Sequence, residues 1–492
     1  MEQLQKMYID GEWVLSSTGE RREVLNPATG EVIAQVTEGN QDDVRKAVVA
    51  AKRAFYHDGW WGISANERAD LLLRLANRLE EESEAFAQLE VLNNGKPLHE
   101  AEIDLSDAVQ CLRYYAGITT KPHGQTYDVS DPMHAMVIRE PIGVCGQIVA
   151  WNFPLLIAIW KLAPALAAGN TIVFKPSEIT PLTSIKLFEL IDEIGVPKGV
   201  VNLVLGAGAT VGQEIAEHPD IDKVAFTGGT ETGRKVMQAA SGNLKKISLE
   251  LGGKSPNIVF ADADLPTAID YAIAGIFFNQ GQACSAGSRL ILQESIHDAF
   301  IEELAKKASK IRVGDGLKPG TQMGPLISEA HMNKVLHYIE LGKKEGAKLV
   351  CGGNRIIGNG MEKGYFVEPT IFTQTTPTMT IVREEIFGPV LAVQTFRDEE
   401  EAIRLANDSI YGLAGAVFTQ DGAKAMRVIR KLRAGITWIN CYHPTYNEAP
   451  WGGYKQSGIG RELGTFGYEE YTEVKQINVN LQVRPTGWYD EG

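Results

Sequence analysis

Val144-Cys145-Gly146-Gln147-Ile148-Val149 and Thr171-Ile172-Val173-Phe174, with the apolar segment Pro154 to Ala168 between them, are the stretch on which the fold turns. Two short strand-like runs flank a segment of helical length with proline at its first position. Strand, helix, strand in that order is the unit of a parallel sheet. The grammar continues to Phe260, with strands expected at Val201–Leu205, Lys223–Phe226 and Asn257–Phe260 and helices at Pro181–Ile194, Thr210–Glu217 and Gly229–Ala240. A second alternating block runs from Leu265 to about Gly458. Its strands include Arg289–Leu292, Lys348–Val350, Val390–Phe396, Ala414–Phe418 and Gly435–Ile439, and its helices His297–Ala308, Ser328–Glu345, Glu399–Asp408 and Ala423–Leu432. Both blocks read as α/β, doubly wound sheets with helices on both faces.

Ahead of them, Tyr8 to Val36 reads as short strands around an Asp10-Gly11 hairpin signal, and Asp42 to Phe55 as a helix. Asn66 to Asn93 reads as one long amphipathic helix with Leu71, Leu72, Leu75 and Leu79 on one face, and Lys96 to Ala116 as another. Lys121 to Glu140 changes character: Val129, Met136, Val137 and Ile138 favour a two-stranded excursion. Such a ribbon is marginal alone, and the alternating run Tyr471 to Val483 is its candidate partner strand. The expected units are residues 1–120 with 143–252, residues 253–469, and a small β-ribbon of 121–142 with 470–492.

The 492 residues are 44% hydrophobic and 22% charged, an ordinary globular composition with length for two or three domains. A formal net charge of −14 argues against nucleic acid or an anionic membrane as the main partner. Five cysteines, none in a CxxC pair, favour neither a zinc site nor a disulfide framework, so no metal is expected and a reducing cytoplasm fits. Met1 to Lys6 shows no basic segment followed by an apolar run, so no secretory leader is expected. The most apolar stretch, Val144 to Trp160, is interrupted by Gln147, Asn152 and Pro154 and reads as buried core rather than a membrane span.

Chemistry concentrates between Leu249 and Arg289. Glu250-Leu251-Gly252-Gly253-Lys254 sets a carboxylate beside a glycine pair, and Gly281-Gln282-Ala283-Cys284-Ser285 sets a cysteine among small and polar residues. The pairing suits a nucleophile with a general base nearby, although a structural cysteine and a surface glutamate would read the same. Elsewhere, Lys175-Pro176-Ser177-Glu178 ends a strand, where Glu178 can accept from both hydroxyls of a ribose and repel a 2′-phosphate, or simply complement a helix dipole. Phe226-Thr227-Gly228-Gly229-Thr230-Glu231-Thr232-Gly233 follows a strand and opens a helix whose N–H groups can hold a pyrophosphate, without GxGxxG spacing. Gly208 and Gly212 belong to a loop beside an adenine or to a plain turn. Asn152 can donate to a developing oxyanion or cap a helix. Glu385 and Phe387 can hold a second ribose and flank a nicotinamide, or form an ordinary loop.

Together these motifs resemble the aldehyde dehydrogenase superfamily. Trp151-Asn152-Phe153-Pro154, Lys175-Pro176-Ser177-Glu178, Phe226-Thr227-Gly228, Glu250-Leu251-Gly252-Gly253-Lys254, Gly281-Gln282-Ala283-Cys284, Glu385-Ile386-Phe387-Gly388-Pro389 and Pro450-Trp451-Gly452-Gly453-Tyr454-Lys455-Gln456-Ser457-Gly458 occur in the family's order and span nearly the whole chain. The resemblance implies NAD(P)-dependent oxidation of an aldehyde to a carboxylic acid. Cys284 would attack the carbonyl, Asn152 and the Cys284 N–H would hold the oxyanion, and Glu250 would activate the water that resolves a thioester. It places Lys175 and Glu178 on the adenosine ribose, Glu385 and Phe387 at the nicotinamide end, and Trp151, Ser177 and Leu251 along the cofactor. In some members Lys161 and Glu462 belong to a proton relay. Gly229 stands where many members have Ser, which removes one hydroxyl contact. Glu178 points to NAD, with NADP possible. The ribbon would be an oligomerisation module of a homodimer or homotetramer.

Phe153, Ile157, Trp160, Ala283, Ser285 and the Cys441-Tyr442-His443-Pro444-Thr445-Tyr446 loop are the expected substrate wall. Apolar and aromatic residues suit broad hydrophobic aldehydes, and the same rings could hold the quaternary ammonium of betaine aldehyde. A CoA-acylating relative is a further alternative, against which Glu250 counts. A cysteine hydrolase would need a histidine, and no motif places one.

Overall fold

The computed structural model describes residues 4–121, 124–358 and 360–490. Part of the leader reading and of the ribbon's ends therefore lies outside the described residues. The architecture is α/β, with two open, mostly parallel sheets and three small antiparallel ones, of which the three-stranded ribbon is the largest.

The first sheet has eight strands, and its centre runs in the order Val201–Leu203, Thr171–Lys175, Val144–Ile148, Lys223–Thr227, Lys246–Glu250, all parallel. In chain order that is third, second, first, fourth, fifth. The winding therefore reverses between Val144–Ile148 and Lys223–Thr227, and a crevice opens beyond the carboxyl ends of those two strands. The helix Pro154–Ala168 leaves the crevice on the first side. Proline opens it, Gly169 at φ 91° stops it, and all of its residues are buried. Lys161 is its one charge.

The second sheet has seven strands in the order Lys348–Cys351, Thr370–Thr373, Val390–Phe396, Arg289–Gln293, Pro256–Val259, Ala414–Phe418, Ile436–Ile439, with only the first antiparallel to its neighbour. In the ribbon, Thr472–Asn480 pairs with Met133–Pro141 over its whole length, and Gln125–Tyr127 adds on the other side. The C-terminal run is thus the partner strand its alternation suggests.

Several elements differ from the sequence reading. The strand after Asn257 belongs to the second sheet, between Arg289–Gln293 and Ala414–Phe418, and does not end the first block. Among the strands not expected are Lys246–Glu250, which starts in lysine and runs into a glycine pair, and the four-residue Thr370–Thr373. The long helix at 66–93 is two helices, Ala65–Glu81 and Ser83–Asn94, hinged at Glu82 (φ −102°, ψ 13°), whose carboxylate takes Arg78 and Lys186. Neither glycine nor proline marks that break. Gly208–Gly212 is a π turn leading directly into the short helix Gln213–Glu217. Gly458–Ile459 adds antiparallel to Lys246–Glu250 at the edge of the first sheet. Among the described residues no helix is long and apolar enough to cross a membrane.

Candidate active site

Three turns meet at the reversal of the first sheet. Ala150 to Phe153 follow Val144–Ile148, Gly228-Gly229 follow Lys223–Thr227, and Glu250 ends the next strand, in register with Thr227. The Gly228 N–H donates to the Glu250 carbonyl at 3.1 Å, so the carboxylate and the glycine turn are locked together. Gly229 caps the helix Thr230–Ala240 without a side chain of its own, and a Cβ there would meet nothing within 4 Å. A serine would therefore fit; glycine leaves the helix start bare. Gly233, one turn later, is packed against Leu251, whose side chain takes the space a Cβ would need.

Cys284 reaches the same place from the second domain. The helix Leu265–Phe277 ends in a tight turn in which Asn279 (φ 46°) and Gln280 (φ 58°) are left-handed. Left-handed backbone at two consecutive non-glycine residues is costly and persists only where surroundings hold it. Here the Asn279 N–H donates to buried Glu100 at 3.0 Å, and its side-chain amide donates to the carbonyls of Asn152 (2.9 Å) and Gln282 (3.3 Å). The Asn152 amide in turn donates one hydrogen to the Gln282 carbonyl at 2.9 Å. Its second hydrogen has no acceptor among the described residues, and Asn152 lies on a cavity wall. The Cys284 loop and the Asn152 loop are thus a single hydrogen-bonded unit.

Two cavities meet at this unit, and Thr227, Glu250 and Cys284 line both. One, of about 250 Å³, is walled by Trp151, Asn152, Gly228, Gly229, Leu251, Gly252, Glu385 and Phe387. The other, of about 420 Å³, is walled by Phe153, Ile157, Trp160, Ala283, Ser285 and Tyr442 to Thr445. A further cavity over the sheet edge is bounded by Gly208, Gly212 and Phe226. Glu178 faces that end: it accepts from the Gly208 N–H, and Lys175 Nζ lies 3.4 Å from it beside buried Ser177. Thr230 is buried at the start of its helix. Lys161 lines neither of the two central cavities; fully buried, it pairs with Glu462, which lines the larger.

One expected wall residue is displaced. Tyr446 does not line the cavity and is 63% exposed, because left-handed Asn440 and His443 turn the loop so that Tyr442 to Thr445 face inward and Tyr446 outward. Tyr442 instead donates its hydroxyl to the Ser285 carbonyl at 2.8 Å, bracing the residue after the cysteine.

Burial dominates the electrostatics. The Cys284 thiol is pushed well above its ordinary range by burial, then by Glu250 and Glu385, with the N–H groups of Ser285 and Cys284 opposing. Glu250 is likewise pushed well up by burial and by Glu462, with Lys161, the Trp451 indole and Arg461 opposing. Burial therefore holds both groups toward their protonated forms. Glu385 is raised by burial to about 6, although it accepts from the Gly253 N–H at 2.9 Å. Glu178 goes the other way: burial raises it, but Lys175 and two backbone N–H groups bring it below the usual carboxylate range.

Sequence reasoning passed over several residues that share these walls. Trp451 donates to Glu250 at 3.3 Å from 201 positions away. Phe278, Asp104 and Asp107 line the larger cavity, and His331 and Lys334 the smaller. Asp104 and Asp107 lie three apart on the helix Leu98–Ile118, a spacing that puts both on one face, but nothing in the sequence says which face meets the site. His443, the one imidazole on the larger cavity wall, donates to the Ala274 carbonyl at 3.2 Å and burial lowers it to about 4, so it is no base for Cys284. Among the described residues no His, Cys, Asp and Glu group could hold a metal ion.

A doubly wound sheet with a crevice at its reversal, opening onto a cysteine, a carboxylate and a free amide hydrogen, defines an oxidoreductase that works on a carbonyl. The chain belongs to the aldehyde dehydrogenase family, whose sequence profile matches residues 13–477. It is 54% identical to betaine aldehyde dehydrogenase of Bacillus subtilis over 489 residues, 99% of each chain. It is 48% identical to human mitochondrial aldehyde dehydrogenase over 479 residues, 97% of this chain and 92% of that one. A crystal structure of betaine aldehyde dehydrogenase from Staphylococcus aureus in complex with NAD+ superimposes with a TM-score of 0.97 at 48% identity, covering 99% of this chain and 97% of the other.

Proposed function

We propose that this aldehyde dehydrogenase uses NAD to oxidise a small cationic aldehyde, of the betaine aldehyde kind, to its carboxylic acid. The observation that carries the substrate is the wall of the larger cavity. Five aromatic rings (Phe153, Trp160, Phe278, Tyr442 and Trp451) and four carboxyl groups (Asp104, Asp107, Glu250 and Glu462) line it. Asp104 is paired with buried Lys96, Glu462 with Lys161, and burial raises Glu250, so Asp107 is the carboxyl on this wall without a cation partner among the described residues. Aromatic faces and an unpaired carboxylate both attract a cation. An apolar aldehyde needs only the rings, which is why the motifs alone favour it; Asp107 on the Leu98–Ile118 helix turns the preference. The relatives carry both readings, since one is a betaine aldehyde dehydrogenase and another a mitochondrial aldehyde dehydrogenase.

The crevice fits a dinucleotide along its length. Glu178 and Lys175 would hold the adenosine ribose, the helix start at Gly229 and Thr230 the pyrophosphate, Glu385 the second ribose, and Phe387 with Trp151 the ring. NAD supplies a hydride acceptor at that end. The chain's own residues supply the rest. Cys284 gives its proton to ionised Glu250 as its sulfur adds to the aldehyde carbon, and the free Asn152 hydrogen holds the oxygen as it becomes negative. Loss of hydride leaves an acyl group on sulfur. Glu250 then takes a proton from water, whose oxygen attacks the thioester and releases acid and thiol. Glu462, paired with Lys161, stands next in line to receive each proton that Glu250 takes and to pass it to solvent, so that Glu250 is ionised again before water attacks.

The test is turnover of betaine aldehyde against hexanal and benzaldehyde, in the native protein and in Asp107→Asn. Asp107 is raised to about 6, by burial and then by Asp104, so above that pH it carries its charge. Betaine aldehyde is expected to lead at pH 8, and Asp107→Asn to lower its kcat/KM roughly tenfold while sparing hexanal, as removal of one charge a few ångströms from a cation should. In the native protein the preference should fade below pH 6 as Asp107 gains its proton. Equal loss for hexanal would return the pocket to the apolar reading.

Cofactor choice rests on Glu178. Glu178→Ala is expected to reduce the NAD over NADP ratio of kcat/KM by about tenfold or more, because an ionised carboxylate no longer meets the 2′-phosphate. An unchanged ratio would remove Glu178 from the ribose. The exposed apolar residues of the ribbon, including Met133, Val474, Val479 and Leu481, fit burial in a homodimer or homotetramer. A monomeric mass by light scattering would overturn that assignment.

A further inference from the structure

The loop Glu384 to Gly388 is gripped at three points by one face of the helix Glu329–Lys344. Tyr338 donates its hydroxyl to Glu384 at 2.7 Å. Val335 fills the space beside Gly388 that a Cβ would need. His331, a turn nearer the helix start, donates its Nε2–H to the Phe387 carbonyl at 2.7 Å. Residues 331, 335 and 338 share a face by helical spacing, so the grip is a property of the whole helix. The residue held by the histidine is the one under strain: Phe387 sits at φ 63°, a conformation that bulky side chains rarely adopt. The rings complete the arrangement. Trp151 lies edge-on between them, 5.3 Å from His331 and 5.2 Å from Phe387, and Trp151 directly precedes Asn152.

We propose that His331 is a positioning residue: its hydrogen bond holds Phe387 in the left-handed conformation that presents the phenyl ring to the nicotinamide. This rests on the NAD reading above. Burial lowers His331 to about 4, with Lys334 adding to the effect and the Phe387 carbonyl opposing it, so the imidazole is neutral and its one proton sits on Nε2, facing the carbonyl. Glu385, two positions earlier on the loop, is held separately by the Gly253 N–H at 2.9 Å, and Glu384 by Tyr338, so loss of the histidine bond should fall on Phe387 and be felt by a ligand that carries the nicotinamide far more than by one that carries only the riboses.

Binding of NAD and of ADP-ribose, which keeps both riboses and lacks only the nicotinamide, separates these effects without turnover. His331→Leu is expected to weaken NAD by about tenfold and to leave ADP-ribose within about twofold, the size of one buried hydrogen bond with the strain it holds. His331→Gln, whose amide can reach the same carbonyl, is expected to restore NAD affinity, and His331→Asn, which is too short, to behave as leucine does. Equal weakening of both ligands, or no weakening of NAD, overturns the proposal. Should His331→Leu not fold, the contrast between the Gln and Asn variants decides in the same way. Failure of the native protein to bind either ligand would instead sink the NAD reading itself.

Discussion

Cys284→Ala is expected to lose aldehyde oxidation by at least ~10⁴-fold, and cofactor-independent hydrolysis of nitrophenyl esters with it. The magnitude follows from the absence of a substitute. Of the three residues on the wall common to the two central cavities, Glu250 is a buried carboxyl, a far weaker nucleophile than a thiolate, and Thr227 offers only a hydroxyl. Cys111 and Cys145 are fully buried, and Cys351 and Cys441 line neither cavity. Ester hydrolysis is the sharper of the two readouts, since it needs the nucleophile and the Asn152 hydrogen but no hydride acceptor. Initial rates of nitrophenolate release from native and variant protein measure it. Release persisting near the native rate would move the nucleophile to Thr227 or off this wall altogether. Loss of oxidation with ester hydrolysis retained would separate the two reactions onto different residues.

How far the chain could be read in advance depended on how local each determinant is. Pro154–Ala168 was legible to the residue, because proline, an unbroken apolar run and Gly169 are all written within it. The parallel strands were legible as short apolar runs between turn signals. Lys246–Glu250 was not, since its first residue is lysine and its last a buried glutamate, and only its neighbours in the sheet make it a strand. The break at Glu82 had no glycine or proline to announce it. Cys284, Glu250 and Asn152 were legible through the motifs around them. Residues that act on those motifs from elsewhere were not. Trp451 reaches Glu250 across the fold, and Asp104 and Asp107 look like the polar stripe of any amphipathic helix until the helix is docked. His331 is one more polar residue at a helix start, and its importance lies in the backbone angle of Phe387, which no sequence pattern states. Tyr446 failed for a related reason: two left-handed residues decide which side of its loop faces in.

Glu250→Gln is expected to accumulate acyl-enzyme, giving a burst of NADH close to one equivalent per active site followed by a steady state lowered by ~10²–10⁴-fold, the range of a positioned general base. The substitution is clean by geometry. The Trp451 indole donates to Oε1 of Glu250, and the glutamine carbonyl oxygen can take that bond, so the side chain should stay in place while losing its basicity. The burst tests Cys284 and the cofactor crevice; the steady state tests only the base. Because burial and the Glu462 charge push Glu250 up, the native steady-state rate should climb with pH over a range higher than that of an ordinary carboxylate, as the carboxyl loses its proton, and Glu250→Gln should lose that climb. A steady state near the native one would hand the base to Glu462, the carboxyl on that wall whose charge most raises Glu250 and which is joined to Lys161. Addition of CoA gives the last discrimination. If CoA raises turnover of the stalled variant and acyl-CoA appears with the native protein, the thioester is resolved by a thiol and Glu250 serves some other end. If it does neither, hydrolysis by a carboxylate-activated water is what the buried Glu250, beside Cys284 and braced by Trp451, is built to perform.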